Sequence, residues 1–401
     1  MPRVNADRAP LPPPRLGSRE LFPDLAPRVY ANHAGVSPPS LRVRRAVDDL
    51  LAAYARQGAL AVNEAIAIRG RLRAGVARLV GSAPEEIALT GGASHGLLAI
   101  ALSFPWRPGD RLVLFEGEFP ANVTPWLRAA ELFGLTPVLL RASDLHGDAA
   151  AGLEALEREL HRGARLVAVS AVQFQTGARM PLERIASLCA RAGAAVCVDA
   201  IQAVGCTPFD VEALGVDYAA GGAHKWLMGI EGAGFLYVRR ARQAELRPAL
   251  AGWLSHDDPV SFLTEGREGL LRYDRPLRTR ADVFEASSSA SASFAAMGAA
   301  VDTLLELGVE PVYAHVTAWC DRLEPELRAR GFEVLRAREG SGRSGILSAR
   351  PPARVDARRL RDALAAAGVA VAIPDGLVRF SPHWPSSLSE VDVVAEALDG
   401  A

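Results

Sequence analysis

One residue of this 401-residue chain stands apart by its chemistry. Of the 45 lysines and arginines, 44 are arginine and one, Lys225, is lysine. A base bias that turns surface lysine into arginine accounts for the 44, since either side chain serves as a solvated cation. It does not account for the exception. A guanidinium keeps its proton in a protein, whereas a lysine amine can lose it and then attack a carbonyl. Lys225 is therefore a candidate nucleophile. It lies in GGAHKWLMGIEGAGFLYV, residues 221–238, where glycines on both sides let the backbone approach a ligand closely and His224 comes directly before it. Flanking Gly, Ala, Trp, Leu and Met fit poorly with a solvated surface amine.

Three other places carry chemistry that would serve such an amine. GGASHG, residues 91–96, follows a β-rich run and opens an apolar helix. Glycines, a small hydroxyl and a helix N-terminus make an anion site, because free amides and the positive dipole end face the ligand. The run has neither G-x-G-x-x-G spacing nor the Gly-Lys-Ser/Thr of a P-loop, and alone it is also an ordinary serine-capped helix start. Asp199 and Gln202 follow an apolar strand in VDAIQAVG. A carboxylate there needs a cation or another partner, since burying it unpaired is costly. A protonated ring nitrogen would be one such partner, and the following turn would be another. Arg379 ends the apolar run of GLVRFSPH, residues 376–383, where a guanidinium fork would match a carboxylate. A phosphate cradle at Ser94, an amine at Lys225, a carboxylate at Asp199 and a planar ring at Phe119 in GEFPAN suit pyridoxal phosphate better than any other cofactor.

The elements that must position these residues follow a βα rhythm from about residue 45 to 240. The β-rich runs are 87–92, 111–117, 136–141, 165–174, 194–200 and 232–238. Several are apolar without alternation, as expected of strands covered on both faces. Amphipathic stretches at 150–162 and 181–192 lie between them, the second with Pro181 as its expected first helical residue and Gly193 beyond its end. The pattern predicts an α/β fold with a mostly parallel, doubly wound sheet, whose ligands collect at the carboxyl ends of the strands. After about residue 245 come a loop-rich stretch at 250–292, helical patterns at 294–307 and 312–330, a strand at 344–349, a helix at 356–367 and the run 376–382. The expected division is a loose leader at 1–20, a segment at 21–45 that packs with the small domain, a large cofactor-binding domain at 46–285 and a small α/β domain at 286–401.

Composition bounds the class. With 49% hydrophobic and 23% charged residues, the chain can bury a sizeable core. A net charge of −1 offers no basic field for nucleic acid or an anionic membrane. No apolar run approaches the roughly 18 residues of a membrane span, and the Pro- and Arg-containing start lacks a secretory core, so a cytoplasmic protein is expected. Cys189, Cys197, Cys206 and Cys320 form no CxxC pair and read as free buried thiols, and no cluster has metal-ligand spacing.

From YANHAGVSP at 30–38 to VRFSPH at 378–383 the chain resembles the class V aminotransferase family of fold-type I pyridoxal-phosphate enzymes. That branch holds cysteine desulfurases, selenocysteine lyases, isopenicillin-N-epimerase-like proteins and kynureninase-like lyases. VSAVQFQTGARMPLERI, VDAIQAVG and GGAHKWLMG, in that order, carry most of the likeness. The resemblance implies Lys225 as the aldimine lysine and proton shuttle, Asp199 beneath the pyridinium, and Gln202 near the ring hydroxyl. It places the phosphate on Ala93 and Ser94 with help from His224. Phe119 falls where desulfurases place a stacking histidine, and Arg379 where the family binds the substrate carboxylate. Ser288, in FEASSSA, stands where a hydroxyl reaches the phosphate of a partner subunit, so a homodimer with shared active sites is implied. Asn32, His33 and His95 are further candidates for substrate contact, and Gln173 or Gln175 could stand in for a polar residue that Phe174 replaces. The stretch 369–380 is short and lacks the mobile cysteine of desulfurases, which argues against persulfide chemistry. The expected activity is transamination of a small amino acid after Cα deprotonation. β-Elimination, then epimerisation, are the alternatives, and a cofactor-binding regulatory protein is the non-enzymatic one.

Overall fold

The computed structural model describes residues 9–288 and 290–400. Its central sheet contains β1 (Ile87–Thr90), β2 (Arg111–Glu116), β3 (Thr136–Arg141), β4 (Ala164–Ser170), β5 (Ala195–Asp199), β6 (Tyr218–Gly222) and β7 (Gly234–Val238), in the order β1-β7-β6-β5-β4-β2-β3. β7 runs antiparallel to β1 and β6, and the remaining pairs are parallel. The mostly parallel, doubly wound sheet is thus present. Its apolar runs divide by residue parity: Val113, Phe115, Val167, Val169, Val196 and Val198 enter one core cluster, and Leu112, Leu114, Leu166, Ala168, Ala195 and Cys197 the other. Helices cover both faces, which is why no polar alternation marks these strands.

β6 is the strand that the periodicity does not reveal. YAAGG has weak strand propensity, yet small residues are what the site requires. A Cβ on Gly221 would lie 2.3 Å from the Phe235 ring, and one on Gly96, in the overlying helix α1 (Ala93–Ser103), would lie 2.8 Å from the Ala220 Cβ. The run 165–174 ends as a strand at Ser170, beyond which Val172 bridges Arg179 and the chain leaves the sheet. Pro181 caps the helix Leu182–Ala192 rather than forming its first residue.

A second cluster unites Trp319, Leu323, Leu347, Val378 and Phe380 with Val29 and Ala31 of the N-terminal segment. Its antiparallel sheet has the order β10-β9-β8, with β8 at Glu333–Val334, β9 at Leu347–Arg350 and β10 at Val378–Phe380. Val29–Tyr30 pairs in parallel with Val369–Ala370, and Asn32 bridges Ser381. The helix Ser291–Leu307, expected to open the small domain, is not confined to it: Phe294, Met297, Val301 and Leu304 enter the main core, as Val312, Val316, Ile346 and Trp384 do from farther along the chain. Nor is the leader loose over its described part. Leu11 packs on the main core, the Gly17 amide donates to the Trp384 carbonyl at 2.7 Å, and Arg19 binds the carbonyls of Pro27 and Arg28, both at 2.8 Å. Residues 1–8 of that leader lie outside the described residues.

Candidate active site

The pairing registers bring Asp199 and the strand ends that lead to Ser94 and Lys225 to one end of the sheet. Ser170 lies opposite Asp199, Asp199 opposite Ala220, and both Gly222 and Thr90 opposite Gly234. The carboxyl ends of β1, β4, β5 and β6 therefore adjoin one another, and α1 starts beside the turn that carries Lys225. Glycine makes this approach possible. A Cβ on Gly234 would sit 2.6 Å from the Gly92 Cα, and one on Gly222 would touch the Ala93 amide nitrogen at 3.6 Å.

Gly92, with φ 144°, precedes α1, and the Ala93, Ser94 and His95 amides of its first turn have no partner among the described residues. Free amides at a helix start are what the anion site expected from GGASHG would use. The Gly91 amide donates to the His95 Nδ1 at 3.3 Å, which turns the ring back onto the same loop. Burial lowers the His95 pKa.

Asp199 is buried, accepting from the Ile201 amide at 3.0 Å. Burial raises its pKa, opposed by that hydrogen bond and by Lys225. A carboxyl so placed favours a further cationic donor, as a protonated ring nitrogen would be. Lys225 follows β6, with its Nζ 5.4 Å from the centroid of the Phe119 ring. Burial lowers its pKa to about 8, Arg379 adding to the effect and Asp199 opposing it. Phe119 is 45% exposed and meets Phe174 edge-on, with centroids 5.3 Å apart. His224 also has a lowered pKa, from burial and then from Lys225, partly offset by Glu231.

Arg379 comes from β10. Its Nη1 donates to the Phe174 carbonyl at 2.8 Å and its Nε is buried without a partner. It forms no ion pair among the described residues, and burial lowers its pKa to about 10. The Asn32 Oδ1 is likewise buried and unpartnered. A substrate carboxylate and amine would supply what these two atoms lack.

Other candidates are placed differently. The Gln202 Oε1 accepts from the Trp226 indole at 2.8 Å and its Nε2 donates to the Ala34 carbonyl at 3.1 Å, leaving one amide hydrogen for a ligand. The Gln173 Oε1 accepts from the amides of Gln175 and Thr176, each at 2.7 Å, so it shapes the loop rather than filling the polar position. Gln175 is bound to Asp375. His33 is buried with its Nδ1 2.7 Å from the Ser37 Oγ, and Ser288 is exposed.

Sequence reasoning missed Glu118. Its carboxylate accepts from the Ser170 amide at 2.7 Å and from the Ser170 hydroxyl. Burial raises its pKa to about 7 against those bonds, with Asp199 adding to the rise. Its position directly before Phe119 was the available signal.

The free amides of α1, the buried carboxyl that lacks a cationic donor and the amine of low pKa fit pyridoxal phosphate, with Ala93 and Ser94 toward the phosphate, Asp199 toward the ring nitrogen and Lys225 toward the aldehyde. Fold and site together define a fold-type I pyridoxal-phosphate-dependent enzyme. Comparison with known proteins narrows this. Residues 29–376 match the family described as aminotransferase class-V, and the chain belongs to it. An uncharacterized aminotransferase, YcbU, of Bacillus subtilis is 27% identical over 93% of this chain and 94% of its own. A cysteine desulfurase of Dickeya dadantii is 34% identical over 61% of this chain and 57% of its own length. Among solved structures, the cystine C-S lyase C-DES in complex with its product cysteine persulfide superposes with TM-score 0.83 at 24% identity, covering 94% of this chain and 98% of that one. The apo cysteine desulfurase of Thermococcus onnurineus gives 0.81 at 23%, covering 93% and 95%.

Proposed function

We propose that the chain transaminates a small amino acid, with Lys225 as its one proton carrier. The observation that carries this reading is the combination, in one site, of an amine with a pKa of about 8 and a buried guanidinium that has no carboxylate partner. Bound pyridoxal phosphate supplies a carbonyl for an amine to attack and a ring that accepts electrons from the substrate Cα. The residues do the rest. Arg379 and Asn32 orient the substrate, Asp199 holds a proton at the ring nitrogen, and neutral Lys225 takes the Cα proton and keeps it for return. No histidine stands at the Phe119 position to share that task. The four cysteines, all buried, offer no thiol for a persulfide relay.

Elimination at a C–S bond is the second reading, favoured by the Phe119–Phe174 pair, an apolar aromatic wall of the kind that accommodates sulfur. A homodimer, with Ser288 reaching the partner's phosphate site, belongs to either reading. Single amino acids added to the loaded protein separate them. Pyridoxamine phosphate together with the matching oxo acid supports transamination. Pyruvate with ammonia and sulfide replaces it with elimination, and inverted substrate with epimerisation. Borohydride reduction should place the cofactor on Lys225, and reduced cofactor on the N-terminal amine would overturn the nucleophile.

A further inference from the structure

Three consecutive carbonyls around the lysine are held from outside their own loop. The Ser37 amide donates to the His224 carbonyl at 2.7 Å, the Ser37 hydroxyl to the Lys225 carbonyl at 2.6 Å, and the His383 Nε2 to the Trp226 carbonyl at 2.8 Å. Ser37 belongs to the N-terminal segment and His383 to the chain just after β10. Within the loop, the Met228 amide also reaches the Lys225 carbonyl at 2.9 Å, with Met228 at φ 58°, a backbone conformation that a side chain of this size rarely adopts.

The proton positions follow from the partners. A carbonyl only accepts, so the Ser37 hydroxyl hydrogen points to the Lys225 carbonyl oxygen, and the His33 Nδ1, 2.7 Å away, must donate to the Ser37 Oγ. The Trp384 amide donates to the His383 Nδ1 at 2.7 Å, which leaves that ring's proton on Nε2, facing Trp226. Both imidazoles are buried and meet edge-on, with centroids 5.3 Å apart. Burial keeps both neutral at pH 7, lowering the His383 pKa to about 4 and that of His33 well below its ordinary value. The two segments are also fastened to each other: the His33 amide donates to the Ser381 carbonyl at 3.0 Å and the Ser381 amide to the Ala31 carbonyl at 2.8 Å.

We propose that Ser37, His33 and His383 are positioning residues that fix the backbone of 224–226 and thereby set where the Lys225 amine can reach. The proposal rests on Lys225 being the nucleophile. A lysine has four side-chain rotors and this one is flanked by glycines at 221, 222 and 229, so without external donors its Cα would wander and the amine would reach water. Residues 378–384 carry both Arg379 and His383, so one stretch of chain serves the substrate carboxylate and the lysine together.

The single lysine makes the test clean. Trace acetylation of the full-length, cofactor-free chain across pH, read by peptide mass spectrometry, reports the Lys225 amine alone, with the N-terminal amine as internal reference. Ser37→Ala and His383→Leu should move the Lys225 midpoint upward from about 8, cutting its acetylation at pH 8 by roughly tenfold relative to the N-terminus. Ser37→Thr and His383→Asn, which keep a donor, should stay within about twofold of the unaltered chain. Folded Ser37→Ala protein that acetylates like the unaltered chain overturns the latch. If His383→Leu does not fold, the Ser37 pair decides alone. Borohydride labelling away from Lys225 in the unaltered protein instead defeats the nucleophile assignment, whatever the acetylation shows.

Discussion

At the scale of single residues, the site works by burying charges that then need partners. With a pKa of about 8, half of the Lys225 side chains are free amines at pH 8, against roughly one in 250 for an ordinary lysine. The rate of covalent pyridoxal-phosphate capture should therefore rise as pH increases through 8, and a stopped-flow profile flat from pH 6.5 to 9 would contradict it. Lys225→Arg should keep the fold and the positive charge but show no visible band on adding cofactor. Glu118 is a case of opposite sign. Its folded pKa, about 7, lies above the ordinary carboxyl value, so its contribution to stability is present in acid and lost as pH rises toward and through 7. Glu118→Gln keeps an acceptor for Ser170 and removes that titration. In the cofactor-free chain the variant should gain stability relative to the parent between pH 5 and 8, by up to about 3 kcal/mol, as measured by denaturant unfolding at the two values. Equal pH dependence of the two proteins would place the Glu118 titration elsewhere.

At the scale of elements, what could be read from sequence was whatever a local pattern encodes. Six of the seven strands of the main sheet were visible as β-rich runs, five of them because burial on both faces writes itself as continuous hydrophobicity, while β3 lies at the end of the sheet with no fully buried residue. β6 was not, because its small residues answer to Phe235 and to α1, contacts that no local pattern contains. The lysine, the strand-end carboxylate and the glycine-rich helix start were legible because each is an unusual residue type at an element boundary. Ser37 and His383 were not, although both lie in segments whose likeness to the family was noted. Their partners are 188 and 157 residues distant, and only the fold brings them to the Lys225 loop. The same interlocking makes Gly205 sensitive. At φ 108°, with a Cβ that would fall 2.2 Å from the Trp226 oxygen, it admits no side chain. Gly205→Ala should cost more than about 2 kcal/mol in unfolding measurements and weaken cofactor retention. A loss under 0.5 kcal/mol would mean that the Lys225 turn yields easily.

At the scale of the molecule, several large apolar side chains remain on the surface. In the stretch after β7, Tyr273 is 90% exposed, Leu263 64%, Leu271 60% and Trp253 44%. Monomeric proteins rarely leave so many large apolar groups together in one uncovered segment, and a second copy of the chain would cover them. Ser288, the residue expected to serve a neighbouring subunit, follows this segment in the chain and is exposed as well. Light scattering at micromolar concentration should give the mass of two 42.6-kDa chains. The double substitution Leu271→Glu and Tyr273→Glu should shift the mass toward one chain and lower cofactor affinity with it, because each site would lose its neighbour's contribution. A dimer unmoved by both charges would put the interface on another face. A monomeric parent that still retained the cofactor would make each site complete within a single chain, leaving Ser288 without the role its position suggests.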